Sequence, residues 1–210
     1  KKETIINMKK TLSGFPGAGK TTTGKTASEE LKIDFLSIGD LRGKYAESLG
    51  ITIDELNEQA EKNPETDIGA DEYQKEFSQE HDDFLVESRL GYFFMPESLK
   101  IYLDVSEEES AKRLLNTERK DEPLCNSLEE RIKKTRERVE SDKKRYKQLY
   151  GTNPYDKEQY DVIIDATNFS SQRVAKIIKA KAIDYHQKMF PLQFYLGHPT
   201  KGRKEIRAWE

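Results

Sequence analysis

The sequence predicts one α/β domain in which helices flank a parallel sheet. Segments rich in β-branched and apolar residues alternate with helical segments, which is typical of parallel strands joined by crossover helices. A glycine-rich segment at residues 14–21 separates the first strand from the first helix. The chain has 210 residues, which is enough for one such domain and too few for two ordinary ones.

Apolar runs and helix caps define the elements of the N-terminal half. The first strand is interrupted by Lys9 and Lys10. Thr52 and Glu55 form a capping box, a Ser or Thr followed three residues later by Glu, and this pattern marks a helix start. The predicted order is a strand at residues 4–8 and 11–13, a helix at 20–32, a strand at 35–38, a polar helical stretch, and helices at 52–63 and 67–80.

The C-terminal half continues the alternation. Capping boxes at residues 106–109 and 127–130 open two helices. Short apolar runs between the helical segments predict buried strands. The predicted order is strands at residues 84–87 and 99–105, helices at 106–116 and 127–150, a strand at 161–165, a helix at 172–188 and an aromatic tail at 190–210.

Composition narrows the functional class. Charged residues make up 36% of the chain, and the formal net charge is only -3, whereas a general nucleic-acid binder needs a net basic face. The single cysteine, Cys125, cannot form an internal disulfide and fits a reducing compartment. No apolar run approaches the roughly 20 residues that span a bilayer, and the first residues lack the apolar core of a signal peptide. We therefore expect a cytoplasmic protein without membrane or nucleic-acid partners.

The strongest motif is a full match to the phosphate-binding pattern G-x-x-x-x-G-K-[ST], between a strand and a helix. Its glycines let backbone N–H groups and the helix N-terminus point at phosphates, Lys20 adds positive charge, and the Thr21 hydroxyl is a ligand for Mg²⁺. A glycine-rich turn without function is the alternative. The residues predicted to bind ATP here are Gly14, Phe15, Pro16, Gly17, Ala18, Gly19, Lys20, Thr21 and Thr22.

The remaining motifs favour phosphoryl transfer over GTP hydrolysis. The chain has neither an Asn-Lys-x-Asp guanine-reading segment nor an Asp-x-x-Gly switch after a strand. Transfer between two highly charged molecules instead needs several guanidinium groups around the transferring group. Arginines follow predicted strands, flank a predicted loop and lie on the long helix: Arg42, Arg89, Arg113, Arg119, Arg138 and Arg145.

Two acidic residues complete the candidate site. Arg138, Asp142 and Arg145 are spaced i, i+4, i+7 and therefore share one helix face, where they could clamp phosphates and a ribose hydroxyl. A solvated ion-pair ladder is the alternative. Glu87, at the end of a buried strand, is a candidate to organise Mg²⁺ and its waters, and the alternative is a pairing with Arg89 or with a helix N-terminus.

These segments resemble the cytidylate kinases, in particular the short archaeal type within the nucleoside monophosphate kinase superfamily. The resemblance runs from about residue 8 to residue 188. Besides the glycine-rich loop and the helical clamp, it rests on residues 37–42, 63–67, Asp71, Gln74, 87–90, Tyr146 and 149–151. It implies the P-loop NTPase fold with a five-stranded parallel sheet, a domain at residues 1–189 with an acceptor-binding segment near 40–80 and a lid near 116–126, and a tail at 190–210.

The resemblance also implies an activity, transfer of the γ-phosphoryl group of ATP to a nucleoside monophosphate, with CMP or dCMP as the leading acceptor and Mg²⁺ as cofactor. The catalytic cations it implies are Lys20, Arg42, Arg89, Arg138 and Arg145. Arg113 and Arg119 would join the ATP-binding residues, and Thr21 and Glu87 would serve the metal. The acceptor-binding residues it implies are Ser37, Asp40, Arg42, Asp71, Gln74, Arg89, Arg138 and Asp142.

Three residues depart from the family pattern and leave the base preference open. Tyr73 and Thr117 stand in place of arginines, and Ser88 stands in place of a glycine. A kinase of another small acceptor, such as an adenylate, shikimate or sugar kinase, and a P-loop protein that senses nucleotide remain the alternatives. The predicted partners are ATP and a monophosphate. We expect a monomer, with a dimer formed through the tail as the alternative.

Overall fold

The computed structural model describes residues 8–116 and 120–189. Its five strands are β1 Lys9–Gly14, β2 Asp34–Ser37, β3 Phe84–Glu87, β4 Leu99–Asp104 and β5 Val162–Asp165. The helices are α1 Lys20–Leu31, α2 Ile38–Leu49, α3 Ile53–Lys62, α4 Glu65–Glu80, α5 Gly91–Phe94, α6 Glu107–Leu115, α7 Leu128–Tyr150 and α8 Ser171–Met189, with a 3-10 turn at Lys157–Gln159. The predicted strand at residues 4–7, Thr117, Arg119 and the tail at 190–210 lie outside the described residues.

All strands pair in parallel, in the order β2-β3-β1-β4-β5, and the predicted fold class is confirmed. The central strand β1 pairs with β3 and β4 through Thr11, which lies opposite Val86 and Lys100. Helices cover both faces of a parallel sheet, so its central strand is buried on both sides. Leu12 is accordingly inaccessible to solvent.

The prediction that Lys9 and Lys10 interrupt the first strand is wrong, because both residues belong to β1. The Lys10 side chain is completely buried. Its ammonium group donates to the Met8 carbonyl at 2.6 Å and to Asp83 Oδ1 at 2.7 Å. An ion pair and a hydrogen bond thus compensate the buried charge, and the strand continues through it.

Other boundaries differ by one or two residues. Ile38 begins α2 instead of ending β2, because Ser37 Oγ accepts a hydrogen bond from the Asp40 backbone N–H at 3.1 Å and caps the helix. Helix α4 begins at Glu65, two residues earlier than predicted. Helix α5 was not predicted, since four residues are too few to show a helical period.

Buried apolar side chains pack on both faces of the sheet. On one face, α1 and α8 pack over β1, β4 and β5 through residues such as Ala27, Leu103 and Ile178. On the other, Ile38 and Phe84 belong to the cluster beneath α2 and α4. Because the strands are parallel, the carboxyl ends of β1, β2 and β3 lie at the same edge of the sheet. Ligands bind at this edge in such folds. Over residues 8–116 and 120–189, no helix is long and apolar enough to cross a membrane.

Candidate active site

The glycine-rich loop begins where β1 ends, and its glycines are required by its backbone. Gly14 has φ 151°, and a Cβ atom there would lie 2.2 Å from the Leu103 carbonyl oxygen. A Cβ on Gly17 would lie 2.7 Å from Ser110. Ser110 also fixes the loop, because its hydroxyl donates to the Pro16 carbonyl at 2.7 Å. The loop is therefore held against β4 and α6, in a conformation that side chains would disrupt.

Lys20, the first residue of α1, lies at the floor of the cleft. It is 8% exposed, and its ammonium donates to the Phe15 carbonyl at 3.0 Å. Burial lowers the pKa of Lys20 well below its usual range, and the charge of Arg89 lowers it further. A bound polyphosphate would supply the negative charge that favours the ammonium form.

Glu87, the last residue of β3, faces the start of α1. Its Oε2 accepts hydrogen bonds from the hydroxyls of Ser37 at 2.5 Å and Thr21 at 3.4 Å. The carboxylate is 3% exposed and lines the cleft. Carboxylate and hydroxyl oxygens are ligands that Mg²⁺ prefers. Within the described parts of the chain, no group of three or more His, Cys, Asp or Glu side chains could hold a metal by itself.

The predicted face of α7 is buried in an ion network. Asp142 Oδ2 accepts from Arg89 Nε at 2.9 Å, and its Oδ1 accepts from Arg145 Nη2 at 2.6 Å. The Asp142 and Arg145 side chains are 4% and 2% exposed, which is unlike a solvated ladder. Burial alone would raise the pKa of Asp142, but Arg89, Arg145 and Arg138 outweigh it and hold the pKa well below its usual range.

Asp67 of α4 joins the network between two arginines, and sequence reasoning gave it no role. One carboxylate oxygen pairs with Arg42 and the other with Arg145, and the Asp67 side chain is inaccessible to solvent. Arg42 also donates to Asn57 Oδ1 at 3.1 Å. Asp67 belongs to the segment at residues 63–67, on which part of the family resemblance rests. Its partner Arg145 is 78 positions away, and no local sequence pattern indicates a contact over that distance.

Glu122 forms a similar bridge at the other end of α7. Its Oε1 accepts from Arg138 at 2.9 Å and its Oε2 from Arg131 at 3.3 Å. The same segment touches α3, since the Ile53 N–H donates to the Asp121 carbonyl at 2.8 Å. Sequence reasoning also missed this carboxylate. It connects residues 120–126 to the helix that carries the predicted clamp.

The half-buried Cys125 lies in the same segment, three residues beyond Glu122, and it is a free cysteine. Its thiol contacts the Pro123 carbonyl at 3.9 Å. Burial raises the pKa of the Cys125 thiol, and Arg131 partly opposes this effect. The group is therefore mostly protonated at neutral pH, as expected for a residue without a nucleophilic role.

Asp71 and Gln74 lie side by side on α4. Gln74 Nε2 donates to Asp71 Oδ1 at 2.8 Å, and both residues are almost inaccessible to solvent. Burial raises the pKa of Asp71 to about 6, although a hydrogen bond with Tyr150 opposes the rise. Asp71 lines the cleft, so the cleft holds a carboxyl group that titrates close to physiological pH.

Arg113 and Phe169 border the end of the cleft beyond the glycine-rich loop. The Arg113 guanidinium donates to the carbonyls of Ala166 at 2.8 Å and Thr167 at 3.0 Å, and to Glu109 at 2.8 Å. Phe169 is 45% exposed. A planar cation and an accessible ring beside the phosphate loop form a surface suited to a nucleobase.

The structure brings most of the predicted site residues to one cleft. Its lining includes the residues Pro16, Gly17, Ala18, Gly19, Lys20, Thr21, Thr22, Arg42, Asp71, Glu87, Arg89, Arg113, Arg138 and Asp142. Ser37, Gln74 and Arg145 stand behind it and bond its lining residues. Gly14 and Phe15 belong to the loop but not to the lining residues. Asp40 is also absent from the lining residues, and its backbone N–H donates to Ser37 Oγ, the cap of α2.

Two of the departures from the family pattern lie among the described residues. Tyr73 is 47% exposed on α4. Ser88 is 3% exposed and lines the cleft, and its hydroxyl accepts from the Leu90 N–H at 3.2 Å. Of these two described residues, Ser88 lines the cleft and Tyr73 does not.

Comparison with known proteins identifies relatives over most of the chain. The family model described as an AAA domain matches residues 11–161. Cytidylate kinases from Methanococcoides burtonii and Archaeoglobus fulgidus are 32% and 34% identical over 83% and 84% of this chain, and each match covers 95% of the relative. An S-adenosylmethionine-dependent nucleotide dehydratase from Lacinutrix mariniflava is 33% identical over 87% of this chain. The chain spans only 37% of the length of that dehydratase.

Solved structures with the same architecture are more distant in sequence. A shikimate kinase from Acinetobacter baumannii superposes with a TM-score of 0.57 at 18% identity, covering 85% of this chain and 94% of its own. A gluconokinase from Sinorhizobium meliloti superposes with a TM-score of 0.58 at 13% identity, covering 88% and 96%. At these identities the likeness extends to the fold alone.

Proposed function

Because the chain belongs to the AAA domain family and to the cytidylate kinases, we propose that it transfers the γ-phosphoryl group of ATP to CMP or dCMP. One observation carries the proposal. A single cleft has a phosphate-binding loop at one end and buried arginines at the other. Two anionic substrates can therefore meet with their phosphates between fixed positive charges, which is what phosphoryl transfer needs.

ATP occupies the glycine-rich loop. Backbone N–H groups and Lys20 bind its phosphates, as helix N-termini bind anions. Its base lies against Arg113 and Phe169, whose positions beside the loop leave a planar surface. Arg119, predicted to share this role, lies outside the described residues and stays a prediction.

The acceptor monophosphate occupies the other end. Arg42 and Arg145 hold its phosphate, in the position where Asp67 now bridges them. The Nε atoms of Arg42, Arg138 and Arg145 are buried and bond no atom of the described residues, which leaves donors for anionic ligands. Arg89 and Arg138 lie between the two ends, and Asp142 accepts a ribose hydroxyl. Asp71, with Gln74 behind it, accepts a hydrogen bond from the exocyclic amine of the base.

Magnesium fits beside Thr21 and Glu87, whose oxygen atoms face the phosphate loop. An ion held there together with ATP would supply positive charge to the phosphate oxygens. The residues themselves act by position. Glu87 and Thr21 orient the ligands of the ion, and Ser37 fixes the Glu87 carboxylate.

Phosphoryl transfer requires that the attacking oxygen and the leaving group be aligned, and it needs no strong general base. An acceptor phosphate oxygen is already ionised and attacks the γ-phosphorus in line, while ADP leaves with the bridging oxygen. The acceptor-binding segment at residues 40–80 and the lid at 116–126 close over both nucleotides and exclude water, which prevents hydrolysis of ATP. A cytoplasmic location, a monomeric state and the absence of nucleic-acid partners stay predictions.

The test is ADP release from Mg-ATP with CMP, dCMP, UMP, AMP and GMP offered separately. We expect rapid turnover with CMP or dCMP and almost none without an acceptor. The variant Lys20→Ala should abolish turnover with every acceptor and serves as the background control. ATP hydrolysis that ignores the acceptor would contradict the proposal and favour a nucleotide-sensing protein. Turnover with a different monophosphate only would support kinase activity with another base preference. Ser88 and Asp71 would then be the residues to substitute.

Kinases of other acceptors are less well supported. The shikimate kinase and gluconokinase share 18% and 13% identity with the chain, whereas the cytidylate kinases share 32% and 34%. The several buried arginines favour an acceptor with a phosphate group over an uncharged sugar, because guanidinium groups bind phosphate oxygens through charge-assisted hydrogen bonds.

A further inference from the structure

Tyr155 occupies the connection between α7 and β5 and reaches into the ion network of the cleft. Its hydroxyl donates to Asp142 Oδ2 at 2.5 Å. The surrounding backbone is fixed, because the Tyr155 N–H donates to Asn153 Oδ1 at 3.0 Å and the Tyr160 hydroxyl donates to the Pro154 carbonyl at 2.7 Å. The phenol therefore approaches Asp142 from a well-held turn.

The ring of Tyr155 contacts two further parts of the site. It packs edge-on against Phe15 of the glycine-rich loop, with ring centroids 6.3 Å apart. The Arg89 guanidinium lies 5.8 Å from its centroid, within the range of a cation–π interaction. Tyr155 thus touches the ATP loop, an arginine between the two substrates, and the carboxylate assigned to the acceptor ribose.

The hydrogen bonds to Asp142 show what the hydroxyl does. A carboxylate has about four acceptor positions on its two oxygens. Arg89 and Tyr155 occupy both positions on Oδ2, and Arg145 occupies one on Oδ1. With respect to the described residues, the remaining position on Oδ1 is therefore the one left for a ligand. Without the Tyr155 hydroxyl, Oδ2 would also accept from a ligand, and the direction of the contact would no longer be fixed.

We propose that Tyr155 is a positioning residue that orients Asp142 so that one defined oxygen, Oδ1, meets the ribose hydroxyls of the acceptor and sets the preference for CMP over dCMP. This inference rests on the proposed kinase function. Burial raises the pKa of Tyr155 well above its usual range, and Asp142 raises it further against the opposing charge of Arg89. The hydroxyl thus remains a donor at working pH.

The test compares Tyr155→Phe with the wild type in kcat and KM for CMP, dCMP and ATP. We expect kcat/KM for CMP to fall about tenfold, as for a lost hydrogen bond to a charged group. The value for dCMP should fall less, so that the CMP preference decreases. The KM for ATP should stay unchanged, because the ring and its contact with Phe15 remain.

Tyr92→Phe is the matched control. The Tyr92 hydroxyl bonds Thr152 Oγ1 at 2.7 Å in the same connection. It should leave the CMP preference unchanged, and thermal unfolding should show that both variants are folded.

Four results would overturn the inference. An unchanged preference in Tyr155→Phe, or an equal change in Tyr92→Phe, would reduce Tyr155 to a structural role. Equal use of CMP and dCMP by the wild type would contradict the ribose contact and leave the kinase activity intact. A wild type that phosphorylates no monophosphate would refute the proposed function, and this inference with it.

Discussion

At the scale of single residues, the carboxylate of Glu87 offers a way to separate catalysis from binding. We expect Glu87→Gln to lower kcat about 10- to 100-fold, in the range of residues that orient metal ligands. Its affinity for ATP should change little, because the loop and Lys20 hold the phosphates. Steady-state kinetics and calorimetric titration with ATP measure the two quantities.

The control for Glu87 is Glu97→Gln, which removes an exposed carboxylate that pairs with Lys9 at 3.2 Å. It should alter neither kcat nor ATP affinity. A Glu87→Gln enzyme with unchanged turnover would exclude the metal role, and equal losses of turnover and affinity would point to a general disturbance of the loop.

Asp71 makes the stability of the protein depend on pH. Its pKa is raised to about 6 from 3.8, so the folded protein binds this proton more tightly than the unfolded chain. The stabilisation is complete below pH 3.8 and is lost as the pH rises through about 6. The difference corresponds to at most about 3 kcal/mol.

Asp71→Asn removes this titration. Relative to the wild type, the variant should gain stability as the pH rises from about 4.5 to 7.5, as urea unfolding at several pH values would show. A constant difference between the two proteins would mean that Asp71 keeps an ordinary pKa. Asp82→Asn, in the exposed turn before β3, is the control and should not reproduce the gain.

The residues of the cleft were only partly predictable from sequence. The loop and the spacing of Arg138, Asp142 and Arg145 are local patterns, and the structure brings these residues together. Asp67 and Glu122 were missed because their partners are distant in sequence and nothing local indicates the contact. Tyr155 gave no signal either, since a tyrosine between a helix and a strand usually packs in the core.

At the scale of elements, the glycine-rich loop depends on a close approach of β1 to β4. We expect Gly14→Ala to cost more than about 3 kcal/mol and to abolish ATP binding, because its Cβ would overlap the Leu103 carbonyl. Urea unfolding and ATP titration provide the measurements.

The variant Gly50→Ala separates the effect of backbone strain from the effect of steric overlap. Gly50 also has a positive φ, 71°, but a Cβ there would meet nothing within 4 Å. This variant should lose only about 1 kcal/mol and keep ATP affinity. Similar losses at both positions would show that backbone strain alone, and not the contact with β4, makes Gly14 necessary.

Helices and strands were predicted correctly where the sequence signal is local. The prediction failed where a buried charge is paired with a residue that is distant in sequence. The capping boxes at Thr52, Ser106 and Ser127 start helices in the structure as expected. Lys10 was misinterpreted as a break because its partner, Asp83, is 73 residues away. Charge in a central strand is unfavourable only when it is unpaired, and a pairing of this range is visible only in the fold.

At the scale of the whole molecule, ion pairs connect the segments around the cleft. Arg145 joins α7 to α4 through Asp67, and Glu122 joins residues 120–126 to α7. Ligands that replace these carboxylates with phosphates should bind the folded state alone and raise its stability by mass action.

We therefore expect a non-transferable ATP analogue at 100 times its Kd to stabilise the protein by about 2.7 kcal/mol. For a chain of this size the melting temperature should rise by about 5 to 10 °C, and CMP should raise it further. Differential scanning calorimetry measures both shifts. Guanosine monophosphate is the control for CMP, and an equal shift with GMP would contradict cytosine recognition.

Cys125 gives this arrangement a practical use. It is the single cysteine of the chain and lies in the segment held to α7 by Glu122. A thiol-reactive fluorophore can therefore be attached at one known position without engineering the sequence, provided that labelling leaves turnover intact. Its emission would report the closure proposed for that segment in stopped-flow experiments, and would tell whether closure, chemistry or product release limits each cycle.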